Sequence, residues 1–441
     1  MSTDAPIAPE TVGAPAVDPA GPLPLGLLPD TARITDDDRL AIGGCDAIEL
    51  AREFGTPAFV YDEDHLRARC REAVAAFGPG VHYATKAFLC LAMARLVHEE
   101  GMHLDVATGG EYHLARTAGV PARELALHGN NKSMAELRRA MEEGVGCIVV
   151  DSFDELDRIE ALVADGLAPP DVMIRLTPGI EAHTHEYVQT GQDDSKFGFG
   201  VHTGAAQLAF DRARSSTAVN LMGLHMHIGS QIFDADFFER AISVLAPWFH
   251  QHELPELCVG GGIGVAYVAG EQAPSIAQWA AAVKDAVAAN GITAHVSAEP
   301  GRAIAAQAGV TLYTVGTIKD IPRIREYVAV DGGMSDNPRP VLYGSGYECF
   351  LPRAVSAARP RAVRVVGKHC ESGDVLVREG WVPADLAVGD ILAVPVTGAY
   401  GYSMASNYNR VPRPPVVFAR GGDARLVVRR ETEDDLLHLD V

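Results

Sequence analysis

The sequence predicts an α/β protein: a (β/α)8 TIM-like barrel followed by a mostly antiparallel β domain. Three observations lead there. Eight short β-rich runs recur between residues 81 and 301, amphipathic stretches separate them, and each run ends in a residue able to do chemistry. The runs are VHYATKA (81–87), HLDVAT (103–108), LALHGN (125–130), CIVVDS (147–152), DVMIRLTP (171–178), LMGLHMHIG (221–229), ELCVGGG (256–262) and AHVSAEPG (294–301). Between them fall segments such as SMAELRRAMEEG (133–144) and SIAQWAAAVKDAVAANG (275–291), with apolar residues at helical spacing. Active sites of such barrels form at the carboxyl ends of the strands. Lys86, Asp105, His227, Gly260 to Gly262 and Glu299 to Arg302 are therefore expected to converge.

The flanking segments follow in order. The first 30 residues hold seven prolines, and no Lys or Arg precedes Arg33, which predicts a disordered Ala/Pro-rich tail over 1–32 without a basic leader. A segment over 33–60 is expected to pack with the β domain. AFVYDEDHL (58–66) reads as a strand passing, at Asp62 to Asp64, into a capped helix. The barrel is placed at 61–310 and the β domain at 311–441. In the latter, VTLYTVGTIKD, EYVAVDG, RAVRVVGKHC, DILAVPVTGAY and PPVVFARGGDARLVVRR alternate like antiparallel strands, with GGD as a turn.

Composition narrows the function classes. Against 58 Asp and Glu stand 37 Lys and Arg, a net charge of −21 that argues against nucleic acid or an anionic membrane as partner. Seven cysteines without CxxC spacing suit a reducing cytoplasm better than a disulfide framework or a zinc site. No apolar run approaches the length of a membrane span.

Lys86 closes an apolar run and points to the barrel mouth, where desolvation frees an amine as a nucleophile. GGGIG (260–264) follows the seventh run. Its backbone N–H groups, with Gly301 and Ser230 on the same rim, suit a phosphate, which such barrels bind after strands seven and eight. Lysine plus phosphate cradle suggests pyridoxal 5′-phosphate held as a Schiff base on Lys86. Glu299, ending the eighth run, is placed to hydrogen-bond the pyridine nitrogen and keep it protonated, the stronger electron sink. His225 and His227 share one strand face at period two, but no third ligand at metal spacing supports zinc, so no metal is expected. His227 is read as stacking on the cofactor ring and His225 as a packed core residue.

These residues belong to a motif set. HYATKAF, HMHIGSQ (225–231), GGGIG, EPGR (299–302), DGGMSDNPRPVLYG (331–344), CESGD (370–374) and GAYGYSMASNYN (398–409) resemble diaminopimelate decarboxylases, fold-type III pyridoxal-phosphate enzymes, over roughly 35–430. Phe88 stands where many relatives carry Asn. The resemblance implies decarboxylation of meso-2,6-diaminopimelate to L-lysine and CO2, the last step of lysine biosynthesis, at the D-configured centre. It matches Lys86 to the cofactor lysine, and Asp105 and His227 to residues beside and over the ring. Ser230, Gly261, Gly262 and Glu299 to Arg302, Gly301 included, match the phosphate and pyridine contacts. Arg302, Arg339 and Tyr343 match substrate-binding positions, and Tyr400 one near both cofactor and substrate. Cys370, the candidate proton donor, and Glu371 match residues supplied by a partner subunit, which implies a homodimer with shared active sites.

The substrate fits the charges. Diaminopimelate keeps an intact amino-acid end, so its pocket needs a cation for the distal carboxylate, from Arg339 and Arg302, and an anion for the distal ammonium, from Glu371. Ornithine- or arginine-type decarboxylases are the alternative, and ornithine decarboxylases typically show CDG where this chain has CES. A racemase usually sets arginine against the pyridine nitrogen, and a non-catalytic homologue has no need of Lys86, Glu299, His227 and Cys370 together.

Overall fold

The computed structural model describes residues 18–180 and 194–441. Each of the eight runs contributes one strand: β1 (His82–Ala84), β2 (His103–Val106), β3 (Leu125–Leu127), β4 (Cys147–Val150), β5 (Asp171–Thr177), β6 (Asn220–Met226), β7 (Glu256–Cys258) and β8 (His295–Ser297). Neighbours pair in parallel and in chain order from β1 to β8. Closure comes from the His82 and Ala84 N–H groups, which donate to the carbonyls of Ala298 (3.0 Å) and Pro300 (3.3 Å) just past β8. The strands are short because each needs to cross only the barrel wall before its chain turns outward.

Helices start where the sequence offers caps. Thr108, Ser133, Ser152 and Ser275 each accept a hydrogen bond from the N–H three residues on, and Ser133 with Glu136 and Ser275 with Gln278 complete capping boxes. Each cap contributes about 1 kcal/mol and fixes where the βα loop ends.

The second sheet draws on both ends of the chain. Its strands are β9 (Gly309–Ile321), β10 (Arg325–Val330), β11 (Arg361–Val366), β12 (Val375–Val382), β13 (Ile391–Val394), β14 (Val416–Arg420) and β15 (Asp423–Val428). The strand Ala58–Asp62 runs between β9, antiparallel, and β14, parallel, and passes directly into the helix Glu63–Phe77, where Asp62 accepts the His65 N–H (3.0 Å). Most pairs are antiparallel, and β10 with β11 is parallel. Gly421 and Gly422 both take positive φ and turn β14 into β15, at the GGD signal. β12 was not among the expected strands: exposed Arg378 and Glu379 interrupt its apolar alternation.

Two sequence expectations need adjustment. Residues 1–17 of the expected tail lie outside the described residues. Leu23, Leu27 and Leu28, also placed in that tail, are buried, and Gln307 donates to the carbonyls of Gly26 (2.9 Å) and Leu28 (2.7 Å), so the tail does not extend to residue 32. Proline content outweighed three leucines in the compositional reading. Lys86 does not close β1 but sits in a single 3-10 turn, Thr85–Ala87, beyond it. Among the described residues no helix is long and apolar enough to cross a membrane.

Candidate active site

A cavity of about 200 Å³ opens at the carboxyl ends of the strands. Ten of the expected residues line it: Lys86, Asp105, His227, Ser230, Gly261, Gly262, Glu299, Gly301, Arg302 and Tyr400. Lys86 is the one lysine among the lining residues, and it is exposed to the cavity rather than sealed off, so protein groups alone do not desolvate it. The nearby Lys132 is fully engaged by Glu155 (2.8 Å) and the carbonyls of Gly129 (2.8 Å) and Val149 (2.6 Å).

Glu299 is the electrostatic centre. Burial alone pushes its carboxyl upward, but His128 and His225 overcome this and hold it well below the usual carboxylate range. His225 Nε2 donates to Oε2 (3.1 Å), and His128 Nε2 lies 3.1 Å from Oε1 at an angle that makes the contact an ion pair rather than a hydrogen bond. The Cys258 thiol also donates to Oε1 (3.3 Å). Burial lowers His128, yet Asp105 and Glu299 raise it above the ordinary imidazole value. Burial drives the His227 imidazole well down, with Lys86 and Arg175 adding to the effect, so it is neutral. The Gly261 N–H donates to its Nδ1 (3.2 Å), leaving the proton on Nε2. Burial pushes Asp105 up to about 6, with Glu299 adding to it against His128 and Lys86.

The glycine rim is locked by its own backbone. Ile232 N–H donates to the Gly262 carbonyl (2.9 Å) and Glu299 N–H to the Gly260 carbonyl (2.8 Å), tying together the loops after β6, β7 and β8. A Cβ at Gly261 would meet the Glu299 carbonyl oxygen at 2.3 Å, and one at Gly301 would meet Ala84 at 2.9 Å. Only glycine permits this approach.

The β domain reaches in through one loop. The Tyr400 N–H donates to the Ala87 carbonyl (2.8 Å), as does the Ser403 hydroxyl (3.1 Å), docking GAYGYS on the turn that carries Lys86. The Arg302 guanidinium lies 4.7 Å from the centre of the Tyr400 ring and donates to Ser230 Oγ (2.8 Å) and Tyr267 Oη (2.7 Å).

Four expected residues do not line the cavity. Arg339 is buried beside it on the short helix Arg339–Tyr343, which also carries Tyr343. Cys370 and Glu371 are exposed on the β11–β12 loop: the Cys370 N–H donates to Asn409 Oδ1 (3.1 Å), and Glu371 accepts from the Gly373 N–H (3.3 Å). Phe88 stacks on Tyr61 with ring centres 4.3 Å apart, fully buried.

Sequence reasoning missed His128, Arg175, Tyr267 and Tyr347. Signals existed for the first two: His128 follows the apolar run LAL, and Arg175 is a cation set among the apolar residues of DVMIRLTP. His225 proves more than a core residue, since His128, His225 and Glu299 bring ligand atoms within 4.8 Å of one another, a grouping invisible in linear spacing.

Residues 63–306 match the pyridoxal binding domain of pyridoxal-dependent decarboxylases. The diaminopimelate decarboxylase of Mycobacterium tuberculosis is 49% identical over 423 residues, 91% of this chain and 95% of that protein. That of Bacillus subtilis is 44% identical over 93% of this chain and 97% of its own. Among solved structures, the diaminopimelate decarboxylase from M. jannaschii superposes with a TM-score of 0.86 at 32% identity, covering 94% of this chain and 98% of that one. A lysine/ornithine decarboxylase from Vibrio vulnificus reaches a TM-score of 0.73 at 25% identity, over 85% of this chain and 97% of its own. With the motifs, the barrel and the Lys86 cavity in agreement, the chain belongs to the diaminopimelate decarboxylase family of pyridoxal-dependent enzymes.

Proposed function

We propose that this chain removes CO2 from one end of meso-2,6-diaminopimelate and releases L-lysine, with Lys86, Glu299 and the glycine rim holding the cofactor. The observation that carries this reading is the buried carboxylate of Glu299, matched by His128 and His225, lining the same cavity as Lys86. The residues fit pyridoxal 5′-phosphate: an amine, a carboxylate for a pyridine nitrogen, and a glycine cradle that a Cβ would disrupt. When bound, that group supplies a conjugated sink for the electron pair left as CO2 departs.

The chain's own residues do the rest. Glu299 would hold a proton on the pyridine nitrogen, and the neutral His227 would contact the ring without adding charge. Asp105, which lines the same cavity, would hold the ring from its side. Ser230 with the N–H groups of Gly262 and Gly301 would bind the phosphate, and Gly261, whose N–H is taken by His227, keeps the rim open for it. Arg302 and Arg339 would bind the distal carboxylate, Tyr343 would contact the substrate, and Tyr400 would serve both cofactor and substrate. Two buried guanidiniums suit a substrate with a distal carboxylate better than one with an amine alone.

Cys370 and Glu371 complete the site from a second copy in a homodimer. The support is their exposure on a loop outside the cavity of their own chain. Glu371 takes the distal ammonium and Cys370 delivers a proton to Cα.

Incubation of purified protein with meso-diaminopimelate should release CO2 and L-lysine together. Borohydride reduction followed by peptide mapping should place the cofactor on Lys86, and an adduct on another lysine would overturn that assignment.

A further inference from the structure

Arg302 and Arg339 are 8% and 4% exposed, and among the described residues neither meets a carboxylate. A buried cation without a counter-anion is costly, and these are two. Between them stands Tyr267, itself 4% exposed. Its Oη accepts from Arg302 Nη1 (2.7 Å), while the Arg339 guanidinium lies 4.1 Å from its ring centre. Tyr347 closes the group: its Oη accepts from Arg339 Nη1 (2.5 Å), and its ring meets that of Tyr267 edge-on at 5.3 Å. Burial pushes the Tyr347 phenol up to about 12, so it remains neutral. The Nε atoms of both arginines are buried without an acceptor.

We infer that Tyr267 is a specificity-determining positioning residue, a neutral aromatic spacer that holds Arg302 and Arg339 together so that both serve one carboxylate of the ligand. This rests on the assignment of the two arginines to the distal carboxylate. A carboxylate at position 267 would satisfy the arginines internally and cancel their pull on a ligand. An aliphatic residue would leave Arg339 only the more distant Tyr347 ring (5.5 Å) and Arg302 only the Ser230 hydroxyl as acceptor. Tyr267 supplies a π face to one and an oxygen to the other with no net charge, so the pair's attraction stays directed at the ligand.

L-lysine retains the distal amino-acid end and cadaverine lacks its carboxylate, so the two separate this role from general packing without any turnover. Binding of each to the holoenzyme is measured by titration. Tyr267→Leu should weaken L-lysine by roughly tenfold to thirtyfold, from the loss of a desolvated cation–π contact and a hydrogen bond, and leave cadaverine unchanged. Tyr267→Phe keeps the ring and decides the matter if the leucine variant does not fold: it should weaken L-lysine by about threefold to tenfold, again without effect on cadaverine. Equal weakening of both ligands would show a merely structural role, and unchanged L-lysine binding would show none; either overturns the inference. Arg339→Ala is the companion measurement. If it weakens L-lysine while the Tyr267 variants do not, only this inference fails. If it too leaves L-lysine unchanged, the assignment of the distal carboxylate to the arginines fails.

Discussion

Glu299 and Arg339 are both buried charges, and opposite arrangements give them opposite uses. Glu299 is matched by His128 and His225, so it keeps its charge without a ligand. Among the described residues Arg339 meets a phenol and aromatic faces but no carboxylate, so its charge is open to an anion. Glu299→Gln should therefore lower kcat roughly 100- to 1,000-fold, the usual cost of removing one preorganised electrostatic contact, with little change in KM. A steady-state comparison of CO2 release checks it. Arg339→Ala should act on the other parameter: losing a charge-assisted contact of about 1.5 to 3 kcal/mol raises KM for diaminopimelate roughly 10- to 150-fold. Unchanged kinetics would remove Arg339 from the substrate site.

Two loops show how an element constrains its residues. The loop after β7 touches the loop after β8 so closely that Gly261→Ala must push them apart, since its Cβ would sit 2.3 Å from the Glu299 carbonyl oxygen. Strain of about 1 to 3 kcal/mol falls on the phosphate rim, and titration of the apoprotein should show cofactor affinity reduced roughly 5- to 150-fold. The loop after β10 carries Asp336, which accepts from the Gly333 N–H (2.7 Å) and contacts the Tyr313 hydroxyl. Burial pushes Asp336 up to about 7 from an ordinary 3.8, against the pull of those hydrogen bonds. The folded state thus retains a proton that the unfolded state has released between pH 4 and 7, and stability falls as pH rises through that window. Asp336→Asn imitates the protonated form. Its melting temperature should exceed that of the parent at pH 8 but not at pH 4, and a parallel pH profile for the two proteins would refute the shift.

For the whole molecule the question is whether one chain makes one site. Lys86 lines the cavity of its own barrel, while Cys370 and Glu371 stand exposed on the β domain. If a second copy supplies them, Lys86→Ala and Glu371→Ala homodimers should each be nearly inactive. Mixing and reassembly should gather both lesions into one site of each heterodimer and leave the other intact, so activity returns. Failure to recover activity after subunit exchange, verified by mass spectrometry, would place the entire site within one chain.

The barrel was legible because its signals are local. Each strand is a short β-rich run of three to seven residues and several helices begin at a Ser or Thr cap, so period and capping suffice without knowledge of any distant contact. Nine of the ten expected residues that line the cavity reach it for the same reason, since the ends of parallel strands must face one rim. What the sequence could not express is pairing between residues far apart in the chain. Glu299 is ionised because His128 and His225 approach it from β3 and β6, Arg339 meets Arg302 only through the Tyr267 ring, and Tyr400 reaches the cavity because its loop docks on Ala87. Composition likewise read residues 18–32 as tail, whereas Leu23, Leu27 and Leu28 find a buried surface that only the folded chain provides. Residue types and local periodicity determined which groups face the site; their charge states and partners were decided by the tertiary structure, because burial and Coulomb interactions depend on distance in space and not on separation in sequence.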